Sequence, residues 1–259
     1  MPLELFKKVN IEAKELTDDI TYHILGDPLS ISNLKEYLDI SYTSNLKVHI
    51  TTAGNLLNQK IFELLCHEAI KQINFSINSF NANSFNIPLH NYLTVIFEFC
   101  EYILKNDKNI FINLRIWNLD DEFSSFEFNN HVFKNVSEFF NLDIDSELIY
   151  KTKPKNLRVA KKIFLHFDNY FSWPSLNNKF VSKNGTCHGL KSHCGILSNG
   201  IVVPCCLDKD GIIKLGDIKF DSLKNILNNQ KSKTILNGFK NNTLTEELCQ
   251  KCSYRERFN

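Results

Sequence analysis

Six cysteines crowd the last third of this 259-residue chain: Cys187, Cys194, Cys205, Cys206, Cys249 and Cys252. A segment this rich in thiols either cross-links itself or folds around something the sulfurs hold. The first residues, Met1 to Lys8, lack the long apolar stretch of a secretory signal. The expected compartment is therefore cytoplasmic, where thiols stay reduced and disulfides are not the explanation. The other two cysteines, Cys66 and Cys100, stand alone inside apolar helical patterns and read as buried packing residues. The chain thus divides near residue 180 into a cysteine-poor body, 1–180, and a cysteine-rich tail, 181–259.

Charge narrows the partners. Thirty basic against twenty-nine acidic residues give a net charge of +1, without the positive excess that nucleic acid or an anionic membrane surface attracts. No apolar run reaches the roughly 18 residues that cross a bilayer. The expectation is no nucleic acid and no membrane, with a hydrophobic content of 43% sufficient for a sizeable core.

Periodicity in the body alternates between helix and strand. Helical patterns cover about 3–16, from 33 onward, near 57–70, near 88–105 and near 132–141. Extended patterns cover Thr21 to Leu25, Val48 to Thr52, Gln72 to Asn78, Ile110 to Trp117 and Ile163 to Asp168. Such alternation implies parallel strands with crossover helices, an α/β sheet or barrel. Three strands also alternate in polarity. Ile73, Phe75 and Ile77 oppose Asn74, Ser76 and Asn78; Ile112, Leu114 and Ile116 oppose Asn113, Arg115 and Trp117; Ile163, Leu165 and Phe167 oppose Phe164, His166 and Asp168. The polar sets share one face and either line a cavity or form a layer of groups bonded to one another. A helix at the very start, with no strand before it, leaves the neighbouring strand edge uncovered.

In the tail, Asn199-Gly200 between apolar runs predicts a tight hairpin with positive φ at both turn positions. That turn draws Cys194 and Cys205 together at its open end, with Cys187 and Cys206 just outside. A helical stretch from about Asp221 to Lys240 leads to Cys249-Gln-Lys-Cys252, a CxxC turn that aims two sulfurs at one metal. Clusters of this kind bind zinc or iron–sulfur. A zinc ribbon ordinarily has two CxxC knuckles, and here only one is present, which favours iron–sulfur. His188 and His193 fall beside the site rather than in it.

Cys187-His-Gly-Leu190, Ser198 through Asp208, Leu215-Gly-Asp-Ile218 and the CxxC together resemble the SPASM domain, the auxiliary 4Fe–4S domain of many radical S-adenosylmethionine enzymes. The resemblance implies ligands Cys187, Cys205, Cys249 and Cys252. The body is similar to the matching partial (β/α) barrel: His23-Ile-Leu-Gly26-Asp27-Pro28 resembles the glycine–acid–proline element that contacts the methionyl amine. Thr52-Ala53-Gly54 stands where a Thr-Asn-Gly turn ends the next strand. By the same likeness, Gly26, Asp27, Thr52, Ser76 and Arg115 would bind S-adenosylmethionine. The family's activity is reductive cleavage of that cofactor and hydrogen abstraction, here implied on a peptide or protein substrate, with ferredoxin or flavodoxin as electron donor. The CxxxCxxC loop that holds the family's catalytic cluster occurs nowhere in the 259 residues. One omission of roughly 20–30 residues, a strand and its loop, would explain both the absent motif and the absent first strand. The expectation is a truncated reading of a longer protein rather than a decayed copy, so that this chain binds only the auxiliary cluster. The alternative is a non-catalytic iron–sulfur or zinc-binding interaction module.

Overall fold

The computed structural model describes residues 1–83, 85–120 and 125–258, leaving aside the side chain of residue 82. It divides into two compact units, one of Met1–Thr17 with Phe171–Asn259 and one of Asp18–Tyr170.

The chain opens on α1 (Leu3–Lys14), whose buried Val9, Asn10 and Ala13 recur at helical spacing. The central unit then runs β1 (Asp19–Tyr22), α2 (Leu34–Thr43), β2 (Lys47–Thr52), β3 (Ile70–Ser76), α3 (Ser79–Asn83), α4 (Leu89–Lys105), β4 (Phe111–Ile116), α5 (Ser125–Phe140), α6 (Ser146–Thr152), β5 (Asn156–Ala160) and β6 (Ile163–Phe167). Its sheet has the order β1-β2-β3-β4-β6-β5. All pairings are parallel except β5 with β6, which is antiparallel. The parallel strands β1, β2, β3, β4 and β6 step in one direction across the sheet, with β5 added antiparallel at the edge beyond β6, which is the progression of a barrel rather than of a doubly wound sheet. The expected α/β partial barrel is the fold observed.

Apolar residues on one face of each strand build the core. Val48, Ile50, Ile73, Phe75, Ile112, Leu114, Ile163, Leu165 and Phe167 pack with Leu93, Ile96, Phe99, Cys100 and Ile103 of α4. Cys100 is fully buried, as the apolar pattern implies, while Cys66 is only partly buried against the same core.

Several expectations about elements need correction. The pattern near 57–70 is no α-helix but two 3₁₀ turns, Gln59–Ile61 and Leu64–Cys66. Asn58 accepts a hydrogen bond from the Lys60 N–H and His67 Nδ1 one from the Ala69 N–H, and these local bonds compete with a continuous helical ladder. The first strand is Asp19–Tyr22, earlier than Thr21 to Leu25. The antiparallel edge strand β5 and helix α6 add elements that periodicity did not single out.

In the second unit come β7 (Gly195–Ile196), β8 (Ile201–Val203), β9 (Gly216–Asp217), α7 (Leu223–Leu227), α8 (Gln230–Lys240) and α9 (Glu247–Gln250). The three strands form one antiparallel sheet in that order. The hairpin between β7 and β8 forms, but only Gly200 takes positive φ, at +92°. Asn199 instead accepts a hydrogen bond from the Ile201 N–H, and Leu197 bonds Gly200 and Ile201 around a wider loop. The helical stretch from 221 to 240 breaks at Asn229, whose side chain caps α8 by accepting from the Ser232 N–H and also donates to the Leu215 carbonyl.

The first helix belongs with this unit. Val9 joins the core of Val202, Leu215, Ile218, Leu223, Ile226, Ile235 and Leu248, with Met1 and Leu5 packed at its margin. Lys8 donates to the Ile218 carbonyl and the Leu223 N–H donates to the Glu12 carboxylate. The boundary expected near residue 180 falls after the change of unit at 170/171, and α1 lies outside the sheet-bearing unit that the linear division put it in.

Candidate functional site

A cavity of about 320 Å³ opens in the second unit. Its wall includes Cys187, Cys205, Cys206, Cys249 and Cys252, with Leu207, Ile213, Leu244 and Leu248 as apolar lining. All four cysteines singled out as ligands therefore reach one space. The local structure explains how. Cys205 follows β8, whose pairing with β7 fixes its end, and Cys249 sits on α9 with Cys252 just beyond the Lys251 cap. Cys187 is set by a loop in which its sulfur accepts from the Gly189 N–H at 3.4 Å.

Electrostatics confirm the convergence. Burial pushes the Cys249 thiol up, and the sulfurs of Cys205, Cys187 and Cys252 push it further. Burial likewise raises Cys205, to about 12, with Cys206 and Cys187 adding to the effect. Burial raises Cys252 as well, with Cys187 contributing in the same direction. Thiols that feel one another in this way share a locale. Bound iron reverses the preference, because it takes the thiolate and releases the proton. Backbone N–H groups already point at the sulfurs: those of Leu207 and Asp208 at Cys205, and those of Tyr254 and Arg255 at Cys252. Such N–H···S contacts stabilise thiolates and tune iron–sulfur centres.

The two remaining tail cysteines separate. Cys206 lines the cavity next to Cys205. Cys194 does not; it packs against the unit's apolar core, and burial alone raises its thiol to about 11. His188 and His193 both border the cavity. His193 is held below the ordinary imidazole range by burial and by neighbouring His188, and the His188 ring stands 4.4 Å from that of Phe258. Among the described residues, no group of three His, Cys, Asp or Glu side chains is gathered tightly enough for a single metal ion. The donor chemistry and the size of the cavity fit a polynuclear iron–sulfur cluster.

Two sequence features missed the importance of other residues here. Asp208 shapes the loop beside the sulfurs, its two carboxylate oxygens accepting from the Ile212 and Ile213 N–H groups. Arg255 is 2% exposed yet lies on the cavity wall; in sequence it belongs to the charged run Tyr254-Arg-Glu-Arg257, which reads as solvated surface.

The sheet carries a second group of residues at the C-terminal ends of its strands, where parallel α/β folds place their ligands. Gly26 has φ +89° and Ile24 has φ +86°, an uncommon conformation for a β-branched residue and a mark of local backbone strain. Asp27 closes that turn. One carboxylate oxygen accepts from the Leu29 N–H at 2.9 Å; the other accepts from the Thr52 hydroxyl at 2.7 Å and the Ala53 N–H at 2.8 Å. The Thr52 hydroxyl in turn accepts from the Gly54 N–H at 2.9 Å. Gly26, Asp27 and Thr52 are thereby one hydrogen-bonded corner, and the Asp27 side chain is engaged in holding it.

Ser76 and Arg115 come together separately, paired in register, with His166 in the next strand. Arg115 stacks 4.6 Å over Trp117, whose indole N–H donates to His166 Nδ1 at 3.0 Å. Arg115 also reaches His23: burial and its charge hold His23 near pKa 4, and the same two causes lower His166. Nearer the strand middles the amides bond one another, Gln72 and Asn113 both donating to Asn74 Oδ1 at 2.8 and 2.9 Å. The polar face is thus a self-bonded layer at its centre and a cationic, imidazole-flanked end at Arg115. Thr52 lies on the buried face of β2, opposite to Ser76, so the five expected cofactor residues form two groups rather than one.

Comparison with known proteins agrees with both halves. Residues 187–253 match the SPASM family, an iron–sulfur cluster-binding domain. No curated protein matches the chain in sequence. Among solved structures, BtrN in complex with AdoMet and 2-DOIA is 15% identical with a TM-score of 0.59, over 98% of this chain and 80% of that one. Streptococcus suis SuiB is 14% identical with a TM-score of 0.58, over 92% of this chain and 62% of that one. The protein anSMEcpe with bound AdoMet and the Cp18Cys peptide is 14% identical with a TM-score of 0.56, over 98% and 79%. With these likenesses extending through the sheet as well as the tail, residues 187–253 carry a SPASM iron–sulfur cluster-binding domain and the chain shares the partial-barrel fold of these solved structures.

Proposed function

We propose that this chain holds one 4Fe–4S cluster on Cys187, Cys205, Cys249 and Cys252. The observation that carries the reading is the convergence of those four thiols, each near at least one of the others, on a single apolar-walled cavity. A bound cluster supplies a one-electron relay or an open iron for a substrate group. The protein's own part is to bury the thiolates, donate N–H groups to them and keep water from the sulfurs. Thiols free to hold such a cluster belong to a reducing setting, expected to be cytoplasmic.

For the body, we infer a cofactor surface at the strand ends. Arg115, with Ser76 beside it, supplies a fixed cation for a carboxylate, and the Gly26–Asp27–Thr52 corner presents ordered backbone to an amine. These are the residues for S-adenosylmethionine, with hydrogen abstraction from a peptide or protein substrate and a ferredoxin or flavodoxin donor. That a solved structure of anSMEcpe carries both AdoMet and a peptide supports this choice of substrate class. The chemistry also needs a second cluster held by CxxxCxxC, a spacing that the 259 residues do not contain. As given, the chain is expected to release no 5′-deoxyadenosine on reduction with S-adenosylmethionine present.

Anaerobic reconstitution with ferrous ion and sulfide tests the reading. About four irons and four sulfides per chain are expected, with a brown chromophore. A folded protein that stays colourless, or that takes up zinc alone, overturns it, and zinc uptake would favour the interaction-module alternative. Detection of 5′-deoxyadenosine would overturn the inactive assignment alone.

A further inference from the structure

Arg255 is a buried cation with unmet hydrogen-bonding capacity on the thiol cavity. The side chain is 2% exposed. Its Nη1 donates to the Asn184 carbonyl at 3.2 Å, and it packs so closely over Gly185 that no Cβ fits between them. Among the described residues, its Nε and Nη2 groups have no hydrogen-bond partner. A buried guanidinium left uncompensated is strongly unfavourable, so this one needs an anion. The carboxylate on the cavity wall, Asp208, has both oxygens occupied by Ile212 and Ile213. Of the groups on the wall, His188, Ser192, His193 and Tyr254 are not ordinarily anionic, whereas the sulfurs become so on binding metal, and Cys252 lies three residues away and feels the Arg255 charge.

We propose that Arg255 is a positioning residue for the reduction potential of the cluster held in this cavity, its Nε and Nη2 hydrogens directed at the cluster's anionic sulfur. The proposal rests on the four-thiolate reading above. Four thiolates around a 4Fe–4S core of charge 2+ give a net charge of −2. One electron from a low-potential donor makes it −3. No covalent bond forms or breaks in that step. A fixed positive charge on the wall stabilises the −3 state more than the −2 state, so Arg255 raises the potential. Arginine suits the role because it stays charged when buried.

The test uses the reconstituted full chain, with dithionite as the reductant and the reduced cluster followed by electron paramagnetic resonance against applied potential. Iron and sulfide near four in the unsubstituted protein secure the cluster reading independently of this one. Arg255→Gln and Arg255→Met remove the charge, and Arg255→Lys keeps it. At fixed potential the oxidised-to-reduced ratio is expected to rise about tenfold in whichever neutral variant retains its iron, a midpoint about 59 mV lower for a one-electron couple. Arg255→Lys is expected to change the ratio less than threefold. Equal midpoints in a neutral variant and the unsubstituted protein overturn the proposal. Loss of iron from both neutral variants also overturns it, because Arg255 is then a requirement for cluster assembly rather than a determinant of potential.

Discussion

The two units of this chain are organised by opposite means. The sheet-bearing unit closes on a large apolar core in which whole strand faces and the buried side of α4 interlock. The thiol-bearing unit has a much smaller core and arranges what lies beside it around a cavity. Its strands are two or three residues long, and burial raises the thiols of Cys194, Cys205, Cys249 and Cys252. A sheet of this kind is stable through area removed from water, whereas a short-stranded, cysteine-lined fold completes itself when a metal centre takes the place of a core. On the proposed cluster reading, apolar burial and ligand binding are alternative sources of order in one polypeptide.

Substitutions that act on one unit and spare the other can break that contrast. The largest effect is expected from Cys249→Ser, which removes the thiol that feels the sulfurs of Cys205, Cys187 and Cys252. Iron after anaerobic reconstitution should fall from about four per chain to below one. Cys100→Ser, fully buried in the sheet unit, should keep its iron while losing about 1–3 kcal/mol of stability for the buried hydroxyl. Equal iron in the two variants would discredit the ligand assignment.

Next in size is Phe99→Ala. Phe99 is fully buried and stands 5.1 Å from Phe62 and 6.1 Å from Phe75, ring centre to ring centre. A loss of about 3–5 kcal/mol in denaturant unfolding is expected. Hydrogen exchange should place the loss in β2, β3 and β4, with the iron content unchanged. Loss of iron in step with the sheet would mean that the two sources of order are not separate.

A smaller effect concerns pH. His23 is held near pKa 4 in the fold against an ordinary 6.5, by burial and then by Arg115. Between those values the unfolded chain binds a proton that the folded chain refuses, so stability rises with pH across that window. Acidification from pH 7 to 4 should therefore cost on the order of 1–2 kcal/mol through this site, after allowance for its partial exposure. His23→Gln should flatten the dependence, read as denaturation midpoint against pH. The smallest effect is expected from Asp27→Asn, which weakens the bonds from Thr52 and Ala53 by about 1 kcal/mol. Faster exchange of the Ala53 amide, with the core amides of β3 unaffected, would check it.

The readable parts of the molecule are those in which one physical rule acts alone. The parallel strands were legible because Ile73/Phe75/Ile77 and Ile112/Leu114/Ile116 alternate without interruption, and the gathering of Cys187, Cys205, Cys249 and Cys252 on one cavity because the tail's motifs resemble a known cysteine framework. The pattern at 57–70 misled because Asn58 and His67 bond to nearby backbone N–H groups, a competition that hydrophobic spacing does not record. The pairing of α1 with the tail was hidden because its apolar stripe says that it packs but not on what. His23 and Arg255 were hidden for a related reason: each lies in a polar run, and only the folded chain sets His23 beside Arg115 and Arg255 on a cavity of sulfur.

The contact between Lys8 and the Ile218 carbonyl has a consequence for biosynthesis. On leaving the ribosome, α1 waits for partners some two hundred codons downstream, roughly 10–40 s at ordinary elongation speeds. Throughout that interval its apolar stripe is exposed, and on the proposed reading iron delivery has no finished receptacle until Cys249 and Cys252 have been made.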